Sequence, residues 1–320
     1  MSKNRVTRRS FLQTTVETTG AMIAAKQMVL GAESILLPLS VQGQSQSRVE
    51  GSRVRGDRLK RYAFDYQSYS VRKRGEPGLL IGNAEFGGMA DSQGLGVPTI
   101  WGAAIWSRRE ARAPIGGLTL ACDQFRSDRV PAVYRQWLSL EDAVLRTTIQ
   151  YQDGSGFDAQ QFFSMCTPGL FVLGLKNIGG PAQRKWRVVL PSVQPENQWI
   201  NALQGEMWLV SPPGGDNNVV TGVSPASFTQ MAWAVRANKT LRVTTVGTYE
   251  LTLAPEESAT VVLSVVAGGN DVIPGPSGDE CLELARQQVM AGPLDFEHFA
   301  RSNRDAWEKL WAPTAVLAIP

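Results

Sequence analysis

The chain has 320 residues, enough for one large all-β domain or two ordinary ones. Hydrophobic residues make up 43% and charged residues 19%, a balance that excludes a disordered or fibrous chain. The formal charge of +3 is carried by the first 47 residues, where Lys3, Arg5, Arg8, Arg9 and Lys26 face only Glu17 and Glu33. The remaining 27 basic and 27 acidic residues cancel, which excludes a general attraction to nucleic acid or to anionic lipid.

Thr7-Arg8-Arg9-Ser10-Phe11-Leu12-Gln13 is similar to the twin-arginine export pattern, with paired arginines before a small residue, Phe and Leu. A mildly apolar stretch follows, Ala21–Ala25 and then Met28–Leu30, interrupted by Glu17, Lys26 and Glu33 and so unfit to be a spanning helix. The signal implies export in the folded state, to the periplasm or beyond the cell. No clear cleavage site is visible, and the cut is placed loosely before Gln42–Ser47. No other segment approaches a membrane span. Residues 1–47 read as signal and linker, and 48–77 as a basic, solvated linker running from Arg53 through Arg61 to Arg72-Lys73-Arg74.

From about Leu79 to Ala267 the chain reads as strands. Leu145–Tyr151 alternates faces and runs into Asp153-Gly154, a hairpin-type turn. Asp158–Met165, Leu170–Leu175, Trp186–Leu190, Met207–Val210, Gln230–Val235, Leu241–Val246, Tyr249–Leu253 and Thr260–Val266 continue the series. Short strands between Gly, Pro, Asn and Asp turns predict an antiparallel sandwich over 78–275, without internal repeats. Past Pro276 the periodicity becomes helical. Gly278-Asp279 opens a helix over Cys281–Ala291 that Gly292-Pro293 stops, and a second runs from about Asp295 to Leu310. The fold class is therefore mostly β, an antiparallel sandwich followed by two linker helices over 276–320. The apolar ending Val316–Pro320 reads as a chain cut short of a further domain.

Chemistry-bearing motifs are sparse. Cys122, Cys166 and Cys281 lie far apart with no C-x-x-C, an odd count that allows at most one pair. The single histidine, His298, reads as a packing residue, and a poly-His metal site is excluded. There is no nucleophile elbow, phosphate loop, zinc-protease motif or dinucleotide fingerprint, so no cofactor and no metal is expected. Glycoside cleavage needs two carboxyl groups across the scissile bond. Glu85, Asp91 and Glu110 can be nominated, but nothing places two of them face to face, and no catalytic residue is assigned. Nine tryptophans offer both core packing and aromatic platforms for flat ligands such as sugar rings.

Gly78-Leu79-Leu80-Ile81-Gly82-Asn83-Ala84-Glu85-Phe86-Gly87-Gly88-Met89 resembles the P-L-x-x-G-N-G-x-x-G opening of the N-terminal domains of glycoside hydrolase families 65 and 95. Ala84 stands where a second glycine is usual. Ile100–Trp106 resembles the tryptophan-bearing segment that follows. Ala143–Tyr151 with Asp153-Gly154, Gln161–Ser164 and Leu170–Leu175 are similar to the next strand, turn and strand. Tyr249–Ser258 is similar to the f-x-L-x-P-G-E-x strand, and Ala306–Trp311 with Val316–Pro320 to the linker before the helical barrel.

The resemblance covers about 62–320. It implies a β-supersandwich, linker helices and then an α/α toroid that carries the catalytic carboxylates beyond Pro320, encoded separately. It also implies that Asn83, Trp101, Trp106, Arg108 and Arg109 belong to a loop leaning over the sugar site. Their alternative roles are a turn residue, inter-sheet core and surface charge. The implied function is the non-catalytic N-terminal part of a glycoside hydrolase acting on oligo- or polysaccharide. The alternative is a stand-alone carbohydrate-binding sandwich. The expected partners are a carbohydrate ligand and a helical barrel domain.

Overall fold

The computed structural model describes residues 64–67, 79–83, 85–106, 112–126, 128–180, 183–190, 208–210, 219–224, 231–245, 247–267 and 275–312. The export pattern and most of the basic linker lie outside the described residues. What is described is mostly antiparallel β-structure in two sheets with two helices.

Sheet A has nine strands. Across it they run β1 (Phe64–Tyr66), β6 (Val133–Leu138), β7 (Leu145–Gln150), β8 (Gly156–Phe163), β9 (Leu170–Ile178), β16 (Ser258–Ala267), β13 (Met231–Ala237), β12 (Val219–Ser224) and β11 (Trp208–Val210). Sheet B has seven. Across it run β14 (Arg242–Thr245), β15 (Thr248–Leu253), β10 (Arg184–Val189), β5 (Arg112–Ala121), β4 (Gly96–Trp106), β3 (Phe86–Ala90) and β2 (Leu79–Gly82). Helices α1 (Gly278–Met290) and α2 (Phe296–Trp311) follow the last strand.

Alternation along the strands builds the inter-sheet core. Leu145, Thr147 and Ile149 of β7 are buried while Arg146, Thr148 and Gln150 are not. Trp186 of β10 is fully buried between the sheets, its indole edge-on to Phe157 at 5.6 Å. Leu79, Ile81, Val97, Ile100, Leu118 and Leu120 join the same core from sheet B, with Phe163, Phe171, Leu173, Val261 and Leu263 from sheet A.

The middle of sheet A is apolar on its other face as well. Phe162, Leu170, Val172, Ala234 and Val262 point away from sheet B and pack under Ala285 and Val289 of α1 and Ala300 of α2. Helices, sheet A and sheet B therefore make three layers. Gly174 of β9 admits the second helix: a Cβ there would stand 2.6 Å from the Phe296 ring. Phe296 in turn meets Phe162 edge-on at 5.7 Å.

The helix ends explain their positions. Ser277, one residue before the expected Gly278-Asp279 cap, is the N-cap of α1. Its hydroxyl accepts from the Glu280 N–H, and the Glu280 carboxylate accepts from the Ser277 N–H at 2.6 Å. At the other end α1 has no basic residue in its last turn, and Arg236 of β13 supplies one, donating to the Val289 carbonyl at 3.1 Å. Asp295 caps α2.

A buried guanidinium closes the end of the sandwich where β9 finishes and β10 begins. Arg184, 4% exposed, donates through Nε to Gln124 Oε1 at 2.9 Å and through Nη1 to Asn177 Oδ1. Its plane lies 5.0 Å from the centre of the Phe125 ring. Asn177 passes the link on, its amide donating to the Ala254 carbonyl at 3.0 Å in the β15–β16 turn. We predict that Arg184→Met costs about 2 kcal/mol, because Asn177, wholly buried, is left without its charged donor while the exposed Gln124 can turn to water. A urea unfolding midpoint measures it, and a loss under about 0.5 kcal/mol, the size of an ordinary surface change, contradicts the assignment.

Among the described residues two non-glycine residues hold left-handed backbone, Ala143 at φ 52° and Glu256 at φ 61°. Glu256 follows Pro255 in a turn closed by the Glu257 N–H to the Ala254 carbonyl, a place where glycine is usual. Ala143 has no polar side chain to offset its strain. Ala143→Gly is expected to stabilise the fold by roughly 0.5–1 kcal/mol, net of glycine's entropy cost. A fall in the thermal midpoint would show that the turn carries no strain.

Candidate functional site

The segments that resemble the glycosidase opening come together on one edge of sheet B. β2 pairs with β3 through Leu80↔Met89 and Gly82↔Gly87, and β3 pairs with β4 through Gly87↔Trp101 and Phe86↔Gly102. β4 turns back into β5 through a long hairpin with three irregularities of register.

Asn83 makes the β2–β3 turn. Its Oδ1 accepts from the Glu85 N–H at 2.9 Å and the Phe86 N–H at 2.8 Å, and its Nδ2 donates to the Ser164 carbonyl at 2.7 Å. The turn closes tightly, since a Cβ on Gly82 would meet the Phe86 carbonyl oxygen at 2.7 Å. Both heavy atoms of the Asn83 amide are thus engaged within the protein, as in an Asx turn.

Trp101 is half-buried, one residue beyond Ile100 of the inter-sheet core. Leu80 and Met89, a direct cross-strand pair, are 62% and 40% exposed while Leu79, Ile81 and Ala90 are buried. Register sets Trp101 beside Gly87, which has no side chain to rise between it and its neighbours. This corner of the outer face is therefore apolar and low. The opposite part of the same face is charged, with Lys185 paired to Glu250 at 3.3 Å and Arg187 paired to Asp123. The sign of this patch was in the sequence, since Leu79-Leu80-Ile81 is apolar at every position where a half-solvated strand should alternate.

Trp106 sits near the tip of the β4–β5 hairpin, its backbone paired with Arg112; its side chain lies outside the described residues. Arg108, Arg109 and Glu110 also lie outside the described residues. From Gly102, level with the β2–β3 turn, to Trp106 the strand runs four residues further, about 13 Å at strand rise. The arm thus reaches past the turn on the side where Asn83 meets Ser164. Asn83, Trp101 and the backbone of Trp106 belong to this turn and this hairpin.

Of the nominated carboxylates, the two within the described residues, Glu85 and Asp91, do not face one another. Asp91 accepts from the Gln93 and Gly94 N–H groups, both at 2.9 Å, and shapes the β3–β4 turn, whereas Glu85 is exposed in the β2–β3 turn. These two turns stand at opposite ends of β3. His298 is exposed on α2, edge-on to Phe299 at 5.8 Å, and is not the core packing residue its neighbours suggest. Cys122, Cys166 and Cys281 are all free thiols, and burial pushes Cys281 up to about 11. Among the described residues no cluster of His, Cys, Asp and Glu is arranged to hold a metal ion, and no helix is long and apolar enough to cross a membrane.

One cluster escaped sequence reasoning. Trp137 of β6 is half-buried, with the Arg135 guanidinium 4.6 Å and the Arg146 guanidinium 6.0 Å from the ring centre. Arg135 is paired with Asp65 at 3.0 Å and Arg146 with Asp142 at 2.7 Å. Burial opposes ionisation of Asp142, but the bonds and charge from Arg146 outweigh it and hold the carboxyl below the usual carboxylate range. With its arginines already paired, this cluster ties strand to turn.

No family profile and no curated relative matches the sequence. Among solved structures, a chain assigned as a kojibiose phosphorylase, from the human microbiome, superposes with a TM-score of 0.56 at 10% identity. The match covers 78% of this chain and 38% of that one, so the present chain spans well under half the length of its structural neighbour. The likeness establishes a shared fold, of the kind that the order of motifs from Gly78 to Trp311 resembles.

Proposed function

We propose that this chain is an exported carbohydrate-associated domain, the non-catalytic N-terminal part of a glycoside-processing enzyme acting on oligo- or polysaccharide. The observation that carries the reading is the apolar corner of Trp101, Leu80 and Met89, set on a fold shared with part of a sugar phosphorylase. An indole beside a glycine floor offers a sugar ring a flat apolar partner. Trp106, Arg108 and Arg109, which follow in the sequence, offer indole and guanidinium donors for hydroxyl groups. The domain contributes contacts, and the carboxylates that cleave the bond belong to a helical barrel.

The second reading, a carbohydrate-binding sandwich acting by itself, draws on the same corner, since an exposed face of this kind needs no barrel to bind. The two differ in catalysis only when a barrel is present, and in both the chain alone turns over no glycoside.

The test is binding of the exported protein to a panel of soluble oligosaccharides by calorimetry, with kojibiose and longer glucans included. Trp101→Ala is expected to weaken binding about three- to tenfold, the worth of one aromatic stack. Equal affinity in the variant, or no binding to any glycan, sinks the assignment of this face. Export is tested separately. Replacing Arg8 and Arg9 together with lysine is expected to retain the protein in the cytoplasm, and undiminished export of that variant would rule out the twin-arginine route.

A further inference from the structure

All three layers meet at one peptide group. The Ser164–Met165 peptide, in the turn between β8 and β9, accepts at its carbonyl from Asn83 Nδ2 at 2.7 Å. Its N–H donates the other way, to Asn303 Oδ1 on α2 at 3.0 Å. Asn303 Nδ2 then donates to the Asp142 carbonyl, in the β6–β7 turn, at 2.7 Å. At the far side Asn83 Oδ1 accepts from the Phe86 N–H at 2.8 Å.

From the Phe86 N–H to the Asp142 carbonyl, three amides therefore stand in series, the Asn83 side chain, the 164–165 peptide and the Asn303 side chain. Each accepts through oxygen and donates through nitrogen, and all point in one direction. The chemistry fixes this polarity. A flipped Asn303 would set its NH₂ against the Met165 N–H and its oxygen against the Asp142 carbonyl. Amides aligned in this way polarise one another, so each bond is strengthened by its neighbours.

Asn303 is fully buried on the face of α2 that meets sheet A, in a helix interior where asparagine is a poor helix former. Its place there is explained by what it holds. If α2 lifts, the Met165 N–H and the Asp142 carbonyl lose their partner, and the carbonyl that anchors Asn83 loses its support from behind. The helix itself is held by few apolar residues, chiefly Phe296, Phe299 and Ala300.

We propose that this amide series is a coupling device: the seating of α2 on sheet A and the shape of the β2–β3 turn beside Trp101 form one cooperative equilibrium. Whatever seats or lifts α2 acts on the apolar corner from the opposite side of the sandwich. The proposal concerns the turn's conformation and stands apart from whether the corner binds sugar.

Hydrogen exchange on the whole chain, read amide by amide, tests it. Asn303→Leu removes both bonds on α2 and touches nothing in sheet B. It is expected to speed exchange at Phe86 and Glu85 about three- to tenfold, the worth of a net hydrogen bond. Asn83→Asp keeps the turn-forming oxygen but cannot donate to Ser164, and by reciprocity it should speed exchange at Met165 and along α2 by a similar factor. Arg236→Gln, which loosens the end of α1 outside the series, should leave Phe86 unchanged. Unchanged rates at Phe86 and Glu85 in Asn303→Leu overturn the proposal. If that variant does not fold, Asn83→Asp decides alone, and an unchanged Met165 overturns it equally.

Discussion

The middle of sheet A is buried on both faces, and the rest of the molecule is arranged to satisfy that constraint. Phe162 and Phe163, adjacent in β8, are each almost wholly excluded from water, one toward the helices and the other toward sheet B. The same holds for Phe171 and Val172 in β9 and for Val261 and Val262 in β16. A strand of this kind cannot stand at a surface. Sheet B covers one side, and α1 and α2 must cover the other, so the helices are a structural layer of the fold. Sheet B is under no such demand, and its outer face is free to be charged at one end and apolar at the other.

Those two kinds of strand differ in how they read from sequence. Leu145–Gln150 alternates and is bounded by Asp153-Gly154, so its expected and observed limits agree within a residue. β6 was missed because Val133–Leu138 mixes Arg135, Gln136 and Trp137 without clean alternation. Gln136 is buried where an apolar residue belongs, its Nε2 donating to the Asp91 carbonyl at 3.0 Å. β12, Val219–Ser224, carries Gly222 and no bulky pattern, and register with β13 defines it. Both helices were legible, from the 3.6-residue recurrence of Leu282, Ala285 and Val289 and from Phe296 and Phe299. The cap of α1 was misplaced by one residue because the capping box depends on Ser277 and Glu280 acting together.

The candidate site was legible as a segment and not as a surface. The glycine-rich turn and the tryptophan hairpin stand out in the sequence, and strand pairing sets them side by side. That Leu80 and Met89 share a face with open surface beside Trp101 follows only from the register Leu80↔Met89 and Gly87↔Trp101. Asn303 gave no signal at all. A single asparagine in a helix reads as solvent-exposed, and only the turns brought by two different hairpins show it to be wholly enclosed.

The two ends of the sandwich are stitched by different chemistry, and the difference has a mechanical consequence. Where β9 ends and β10 begins, the link is a charged guanidinium held by Gln124 and Asn177 and stacked on Phe125. Losing those acceptors while the end stays closed would leave a cation buried and unpaired, so the link favours keeping its bonds made. Where β8 turns into β9, the link is made of neutral groups, the amides of Asn83, Ser164–Met165 and Asn303 and the Cys166 thiol on the Ser302 carbonyl. Water can replace neutral amide bonds at modest cost, so this end can loosen without unfolding the core. It is also the end from which the β4–β5 arm extends, and along which α2 carries Trp307 and Trp311 one and two turns past Asn303, their rings stacked at 5.9 Å. The fold thus keeps its charged lock away from the candidate site and places its adjustable seam beneath it. That is the arrangement expected when one end of a domain holds its shape while the other meets ligand or a following domain.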